Sequence, residues 1–128
     1  MDSERYRRGS EKIREIHGEL GENALDSIAE IAPDLSRYVI EFAFGDVYSR
    51  GLLSLKERQI VTVSALAALG NAQPQLKVHI HGALNLGWTR EEIVEIMIQM
   101  AVYAGFPAAL NGISAAKEVF AERDAAGA

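Results

Sequence analysis

Two histidines and one glutamate are the residues of this chain best suited to moving protons. His79 and His81 stand two positions apart in the string VHIH, and Glu57 lies in the earlier string LSLKERQ. An imidazole titrates near neutral pH, and a carboxyl group can act as a general acid where burial raises its pKa. These residues are typical of acid–base chemistry, with His79 and Glu57 as candidate catalytic residues and His81 as a candidate for binding substrate.

The absence of cysteine restricts the chemistry further. None of the 128 residues is a cysteine, so disulfides, zinc–thiolate sites, iron–sulfur clusters and thiol catalysis are excluded. In a helix, residues two apart point roughly 200° away from each other, so His79 and His81 do not converge on one metal ion. The third histidine, His17, lies in a charged N-terminal segment. We therefore predict no metal site and no cofactor.

Several other side chains are candidates for holding an acidic substrate. A guanidinium matches the geometry of a carboxylate, which makes Arg50 and Arg58 candidate substrate-binding residues. Tyr103 and Asn111, in the string MAVYAGFPAALN, are candidates for lining the same pocket.

Each candidate also has a purely structural interpretation. The arginines can be solvated surface charges, and Tyr103 can fill the core at a helix corner. Asn111 can cap a neighbouring helix. His79 lies between apolar positions and can be a half-buried packing residue, while Glu57, three residues after Ser54, can cap its own helix.

Apolar residues recur with helical periodicity, which predicts an all-α fold of six to seven helices in one bundle. Ser-x-x-Glu from Ser54 and Thr-x-x-Glu from Thr89 are capping boxes that begin two helices. The predicted segments are a charged helical arm over 3–17 loosened by glycines at 18 and 21, and helices over 23–31, 33–45, 55–69, 74–86, 90–104 and 107–122.

Length and composition bound the class of protein. The chain reads as a single domain over 1–128, with an N-terminal arm over 1–22 and a core over 33–122. A net charge of −5 argues against a nucleic-acid partner. The N-terminus has no apolar core typical of a secretory signal, and the apolar stretch 96–110 is broken by Gln99, Gly105 and Pro107. We therefore expect a cytoplasmic protein that does not associate with membranes.

The block from Leu55 to Phe120 resembles the carboxymuconolactone decarboxylase family, which shares its fold with the alkylhydroperoxidase D proteins. The strings that carry the resemblance are LSLKERQIVTVSALAALG and QLKVHIHGALNLGWTREEIVEIMIQMAVYAGFPAALN. In the peroxidase branch two cysteines precede a histidine, and a glycine follows it. His79 and Gly87 fit that histidine and glycine, but the cysteine positions hold Ala72 and Gln75. The resemblance therefore implies the branch without thiol peroxidase activity.

The decarboxylase branch keeps a glutamate and a histidine, which Glu57 and His79 match, and carries an arginine where this chain has His81. The resemblance implies decarboxylation of 4-carboxymuconolactone, without a cofactor, in the breakdown of aromatic compounds. It also implies a homo-oligomer, commonly a trimer or hexamer. The small residues Ala108, Gly112 and Ala116, four positions apart, are consistent with close helix packing there.

The implied reaction sets three tasks. The protein must hold a small carboxylate substrate, stabilise charge on the lactone oxygen, and return a proton to carbon. A histidine suits the second and third tasks, and an arginine suits the first. Two alternatives stay open: a related lyase, isomerase or hydrolase acting on another small acid, and a non-catalytic oligomeric binding protein.

Overall fold

The computed structural model describes residues 2–127, and within them the protein is all-α, as predicted. Six α-helices and one π-helix, joined by turns, form its secondary structure, and these residues contain no strand. Their bounds are α1 Glu4–Ala29, α2 Pro33–Tyr38, the π-helix Val39–Val47, α3 Leu55–Leu69, α4 Gln73–Asn85, α5 Arg90–Tyr103 and α6 Phe106–Ala125.

The residue contacts divide the chain into two units. The N-terminal unit ends at Leu55 and contains α1, α2 and the π-helix. The C-terminal unit begins at Lys56 and contains the body of α3 together with α4, α5 and α6. None of the helices over 2–127 is both long enough and apolar enough to cross a membrane.

Helix α1 departs from the sequence prediction after its first half. The chain kinks at Gly18, whose φ of 58° lies in the left-handed region, but it returns to helix at once and continues through Gly21 and Asn23 to Ala29. The predicted helix start at Asn23 is therefore wrong. A Cβ at Gly21 would lie only 2.5 Å from the Cβ of His17, so this glycine permits a tightly packed turn and does not loosen the chain.

The π-helix follows α2 directly and packs against α1. The predicted end at Gly45 is wrong, because the helical turns run on to Val47. Arg8 of α1 donates from Nε to the Gly45 carbonyl at 2.6 Å, and Arg5 forms an ion pair with Asp46 at 2.8 Å. These contacts hold carbonyl and carboxylate groups near the end of the π-helix against α1.

The C-terminal unit has its own apolar core, made by one face of each of its four helices. Its fully buried large side chains are Val63, Leu76, Ile80, Ile93, Met97 and Val119. The predicted capping box of α5 is confirmed, since Thr89 accepts from the Glu92 backbone at 3.1 Å and Glu92 accepts from the Thr89 backbone at 2.9 Å.

The predicted glycine stops in this unit are also confirmed. Gly70, Gly87 and Gly105 follow α3, α4 and α5 with φ of 78°, 101° and 95°. These are backbone conformations that glycine adopts without steric cost. Helix α6 continues to Ala125, three residues beyond the predicted end at Glu122.

Candidate active site

Helix α4 positions His79. Leu76, Ile80 and Ala83, at the spacing of one helical face, are all buried in the core of the C-terminal unit. This anchoring sets the rotation of α4 and leaves His79 half-buried at the edge of the apolar face. Its imidazole can therefore meet both a protein partner and a small molecule.

One partner of His79 is Gln59 of α3. The side-chain nitrogen of Gln59 lies 2.9 Å from His79 Nδ1 and 2.8 Å from the His79 backbone carbonyl oxygen. The Gln59 side chain is fully buried. One carboxamide group thus binds the imidazole and the backbone of the same residue.

This pair of contacts favours one tautomer of His79. A carbonyl oxygen can only accept, so the Gln59 atom facing it must be the NH₂ nitrogen. That nitrogen has two hydrogens, so the second one can be donated to His79 Nδ1, 2.9 Å away. Nδ1 is therefore the acceptor, and the neutral imidazole carries its proton on Nε2. His79 can then offer Nε2–H as a hydrogen-bond donor to charge that develops on a substrate.

The Gln59 carbonyl oxygen has a different environment. Within residues 2–127 this buried Oε1 atom has no hydrogen-bond partner. A buried acceptor without a donor costs about 1–3 kcal/mol relative to a satisfied one. Packing alone therefore does not explain why an amide occupies this position.

Gln59 was not among the candidates from sequence, although a signal for it exists. The buried residues of α3 are Gln59, Val63 and Ala67, which follow one another at intervals of four. A glutamine in register with an apolar stripe needs a partner inside the protein.

Glu57 and Arg58 lie beside Gln59 in the first turn of α3. Glu57 is exposed, and residues two apart on a helix face in very different directions. Arg58 is half-buried, and its carbonyl accepts from the Thr62 hydroxyl at 3.0 Å. The pairing of Glu57 with His79 and the binding of substrate by Arg58 stay predictions. Arg50 is an exposed residue of the N-terminal unit, and its role also stays a prediction.

His81 sits in a polar cluster between α4 and α6. Its Nε2 lies 2.8 Å from Glu122 Oε2, and Arg123 Nη1 lies 3.4 Å from its Nδ1. Lys77 binds the other Glu122 oxygen at 2.8 Å. The Lys77 ammonium first, and His81 second, hold the pKa of the Glu122 carboxyl below its usual value. A substrate bound at His81 would compete with these contacts, and that role stays a prediction.

Tyr103 and Asn111 lie on the surface of the C-terminal unit. Tyr103 ends α5 with 82% of its surface exposed, so the interpretation that it fills the core of this unit is wrong. Asn111 is exposed on α6, and its backbone carbonyl accepts from the Gln73 side chain at 3.2 Å. Their contact with substrate stays a prediction. Across residues 2–127 no group of three or more potential metal ligands comes together.

Comparison with known proteins identifies the class. The model described as "Carboxymuconolactone decarboxylase family" matches residues 33–118, and the chain belongs to this family. The chain is 34% identical over 120 residues to a 4-carboxymuconolactone decarboxylase of Acinetobacter baylyi, covering 93% of this chain and 89% of the relative.

Two further relatives differ in name. A nitrosuccinic acid decarboxylase of Metarhizium robertsii is 31% identical over 104 residues, covering 80% of this chain and 72% of the relative. An uncharacterised 15.0 kDa protein of Paracoccus denitrificans is 31% identical over 117 residues, covering 91% and 87%. The family predicted from residues 55–120 is confirmed. Relatives named as decarboxylases support an enzyme of the lyase type.

Proposed function

We propose that this protein is a cofactor-free decarboxylase of 4-carboxymuconolactone or a similar small lactone acid, with His79 at its active site. The observation that supports it most is the amide of Gln59 on His79 Nδ1, a contact that favours a proton on Nε2 of the neutral ring. The relationship to a 4-carboxymuconolactone decarboxylase over most of both chains supports the substrate class. Under this proposal the protein acts in the cytoplasm in the breakdown of aromatic compounds.

The chemistry needs little from the protein besides well-placed charges. The bond between the ring carbon and its carboxylate breaks, and carbon dioxide leaves. The electron pair moves through the ring double bond onto the lactone carbonyl oxygen. A proton from solvent then adds to the carbon next to that carbonyl, so that one proton is consumed for each carbon dioxide released. The substrate supplies its own electron sink.

His79 suits the stabilising task in this scheme. A neutral imidazole that donates from Nε2 can hydrogen-bond to the oxygen on which charge develops, and the donor stays on the protein throughout. Its orientation is set before substrate arrives, because Gln59 holds both the ring and the backbone of the residue. Preorganised donors of this kind contribute to rate because they need no reorientation during the reaction.

Glu57 and the arginines take the remaining tasks in the proposal. Glu57 relays the proton between solvent and the substrate carbon, for which an exposed carboxyl group has direct access to water. Arg58 binds a substrate carboxylate through its guanidinium group, and a role for Arg50 in binding substrate stays a prediction. His81, Tyr103 and Asn111 complete the proposed substrate contacts.

One relative favours a second acid as substrate. Nitrosuccinic acid, named for the Metarhizium robertsii protein, carries a nitro group on the carbon next to a carboxylate. A nitro group accepts the electron pair left by carbon dioxide just as a conjugated lactone does. The same donor at His79 would serve a nitro oxygen, so a small nitro acid is the alternative substrate.

The test is release of carbon dioxide from 4-carboxymuconolactone by purified protein, and from nitrosuccinic acid in parallel. We expect His79→Gln to lower kcat by about 100- to 1,000-fold, as for loss of a preorganised donor. Glu57→Gln should also lower kcat if it relays the proton. Gln99→Ala, at an exposed position of α5, is the control and should keep full activity. Full turnover in His79→Gln would rule out the proposed role of His79.

A further inference from the structure

We propose that Gln59 is a positioning residue that holds His79 in the Nε2–H tautomer required for turnover. This inference rests on the proposed function for its catalytic part, while the tautomer itself is a property of the protein that can be measured without substrate. Gln59 does not need to touch the substrate in this role, because it acts through the imidazole.

The geometry carries the inference in two steps. The 2.8 Å contact with the His79 carbonyl orients the carboxamide, because only its NH₂ group can face an acceptor. The 2.9 Å contact then places the second N–H of the same group on Nδ1. If His79 carried its proton on Nδ1, that N–H would face the N–H of Gln59, and neither group could accept a hydrogen bond from the other. The Nδ1–H tautomer is therefore disfavoured.

Other side chains at position 59 would not give this result. A glutamate carboxylate has no hydrogen to donate when ionised, would face the His79 carbonyl with like partial charge, and would attract a proton to Nδ1. A leucine would leave the tautomer unselected. The amide is the group that donates to both acceptors at once.

Burial makes the selection effective. Gln59 has no exposed surface, so water does not compete for its N–H groups, and its side chain lies in register with the buried Val63 and Ala67 of α3. The Oε1 atom has no hydrogen-bond partner within residues 2–127, which is an unfavourable feature of this side chain. The unsatisfied oxygen and the nitrogen that donates twice belong to the same carboxamide. The two bonds donated to His79 are therefore a reason for an amide at this buried position.

The first experiment is nitrogen-15 NMR of histidine-labelled protein without substrate. Three histidines give a small set of ring signals, and the His79 signals are those that disappear in His79→Gln. We expect Nδ1 of His79 to resonate as a nitrogen without a proton and Nε2 as a nitrogen that carries one. In Gln59→Glu we expect Nδ1 to become protonated. A proton on Nδ1 in the unmodified protein would overturn the inference.

The second experiment measures kcat and KM for Gln59→Glu and Gln59→Leu with 4-carboxymuconolactone. A wrong tautomer can cost several orders of magnitude in kcat, so we expect Gln59→Glu to lose about 100-fold or more with KM little changed. Gln99→Glu, which adds the same charge at an exposed position of α5, is the matched control and should retain activity. Circular dichroism and urea unfolding verify that each variant is folded.

The outcomes separate this inference from the proposed function. Loss of kcat together with the NMR change in Gln59→Glu supports both. The expected tautomer in a protein that turns over neither acid contradicts the proposed function and supports the control of His79 by Gln59. Full kcat in Gln59→Glu despite a protonated Nδ1 overturns the positioning role and leaves decarboxylation established.

Discussion

At the scale of single residues, two histidines two positions apart on α4 have different contacts. His79 contacts the neutral carboxamide of Gln59, whereas His81 lies among charged groups that include Glu122 and Arg123. The Gln59 contact restricts the orientation of the His79 ring. His81 has the environment of a residue that helps to link α4 to α6.

The Glu122 carboxyl predicts how this link responds to acid. Its pKa is lowered from 4.5, chiefly by the hydrogen bond from Lys77 and then by that from His81. A carboxyl with a lowered pKa in the folded protein contributes stability above the ordinary pKa, and this contribution disappears as pH falls through the lowered value. We expect the urea midpoint to fall as pH is reduced below about 4.5, less steeply in Glu122→Gln.

The size of this effect should be small, because half of the Glu122 side chain is exposed to water and salt. Glu95→Gln, at an exposed position of α5, is the control and should keep the pH dependence of the unmodified protein. An identical pH dependence in Glu122→Gln would contradict the importance of this carboxyl.

At the scale of elements, two glycines permit α1 and the π-helix to approach closely. A Cβ on Gly9 would clash with the Ile40 carbonyl, and a Cβ on Gly45 would clash with the Arg5 carbonyl. The obstacles are backbone atoms, which cannot move aside as a flexible side chain can. Each helix thus supplies one glycine where the other helix supplies a carbonyl.

We expect Gly9→Ala to lower the free energy of unfolding by about 2 kcal/mol or more, because the two helices must separate to admit the methyl group. Urea unfolding followed by circular dichroism measures the change. Gly51→Ala is the matched control, since a Cβ at Gly51 meets nothing within 4 Å, and it should leave stability almost unchanged. Equal stability of the two variants would show that the helices do not approach as closely as described.

At the scale of the whole molecule, the end of α5 and the start of α6 expose an apolar surface. Val102, Tyr103, Phe106 and Leu110 have 76%, 82%, 73% and 65% of their surface exposed. Large apolar side chains grouped in this way are typical of protein–protein contacts. We propose that this surface of the C-terminal unit binds a second copy of the chain in the predicted homo-oligomer.

Light scattering after gel filtration tests this proposal. We expect a trimer or hexamer for the unmodified protein and a smaller mass for Leu110→Asp or Val102→Asp, because a charge is costly to bury in an apolar contact. Leu52→Asp, at a position 87% exposed in the N-terminal unit, is the control and should keep the oligomer. A monomer at all protein concentrations would exclude the proposed contact.

The sequence by itself determined the all-helical class, the family, and most helix ends of the C-terminal unit. These features depend on local rules: a capping side chain such as Thr89 acts within one turn, and a glycine stop such as Gly87 acts through its own φ. The same rules failed at Gly21, which packs against His17 one turn earlier in the same helix, and at Gly45, which packs against the backbone of α1.

Only the tertiary structure decided which side chain meets His79. Gln59 lies 20 positions away on another helix, and its contact depends on how α3 and α4 pack and rotate against each other. Helical periodicity on α3 sets Gln59 in line with the buried Val63 and Ala67, which brings its amide against His79. The pairing of Glu57 with His79 stays a prediction.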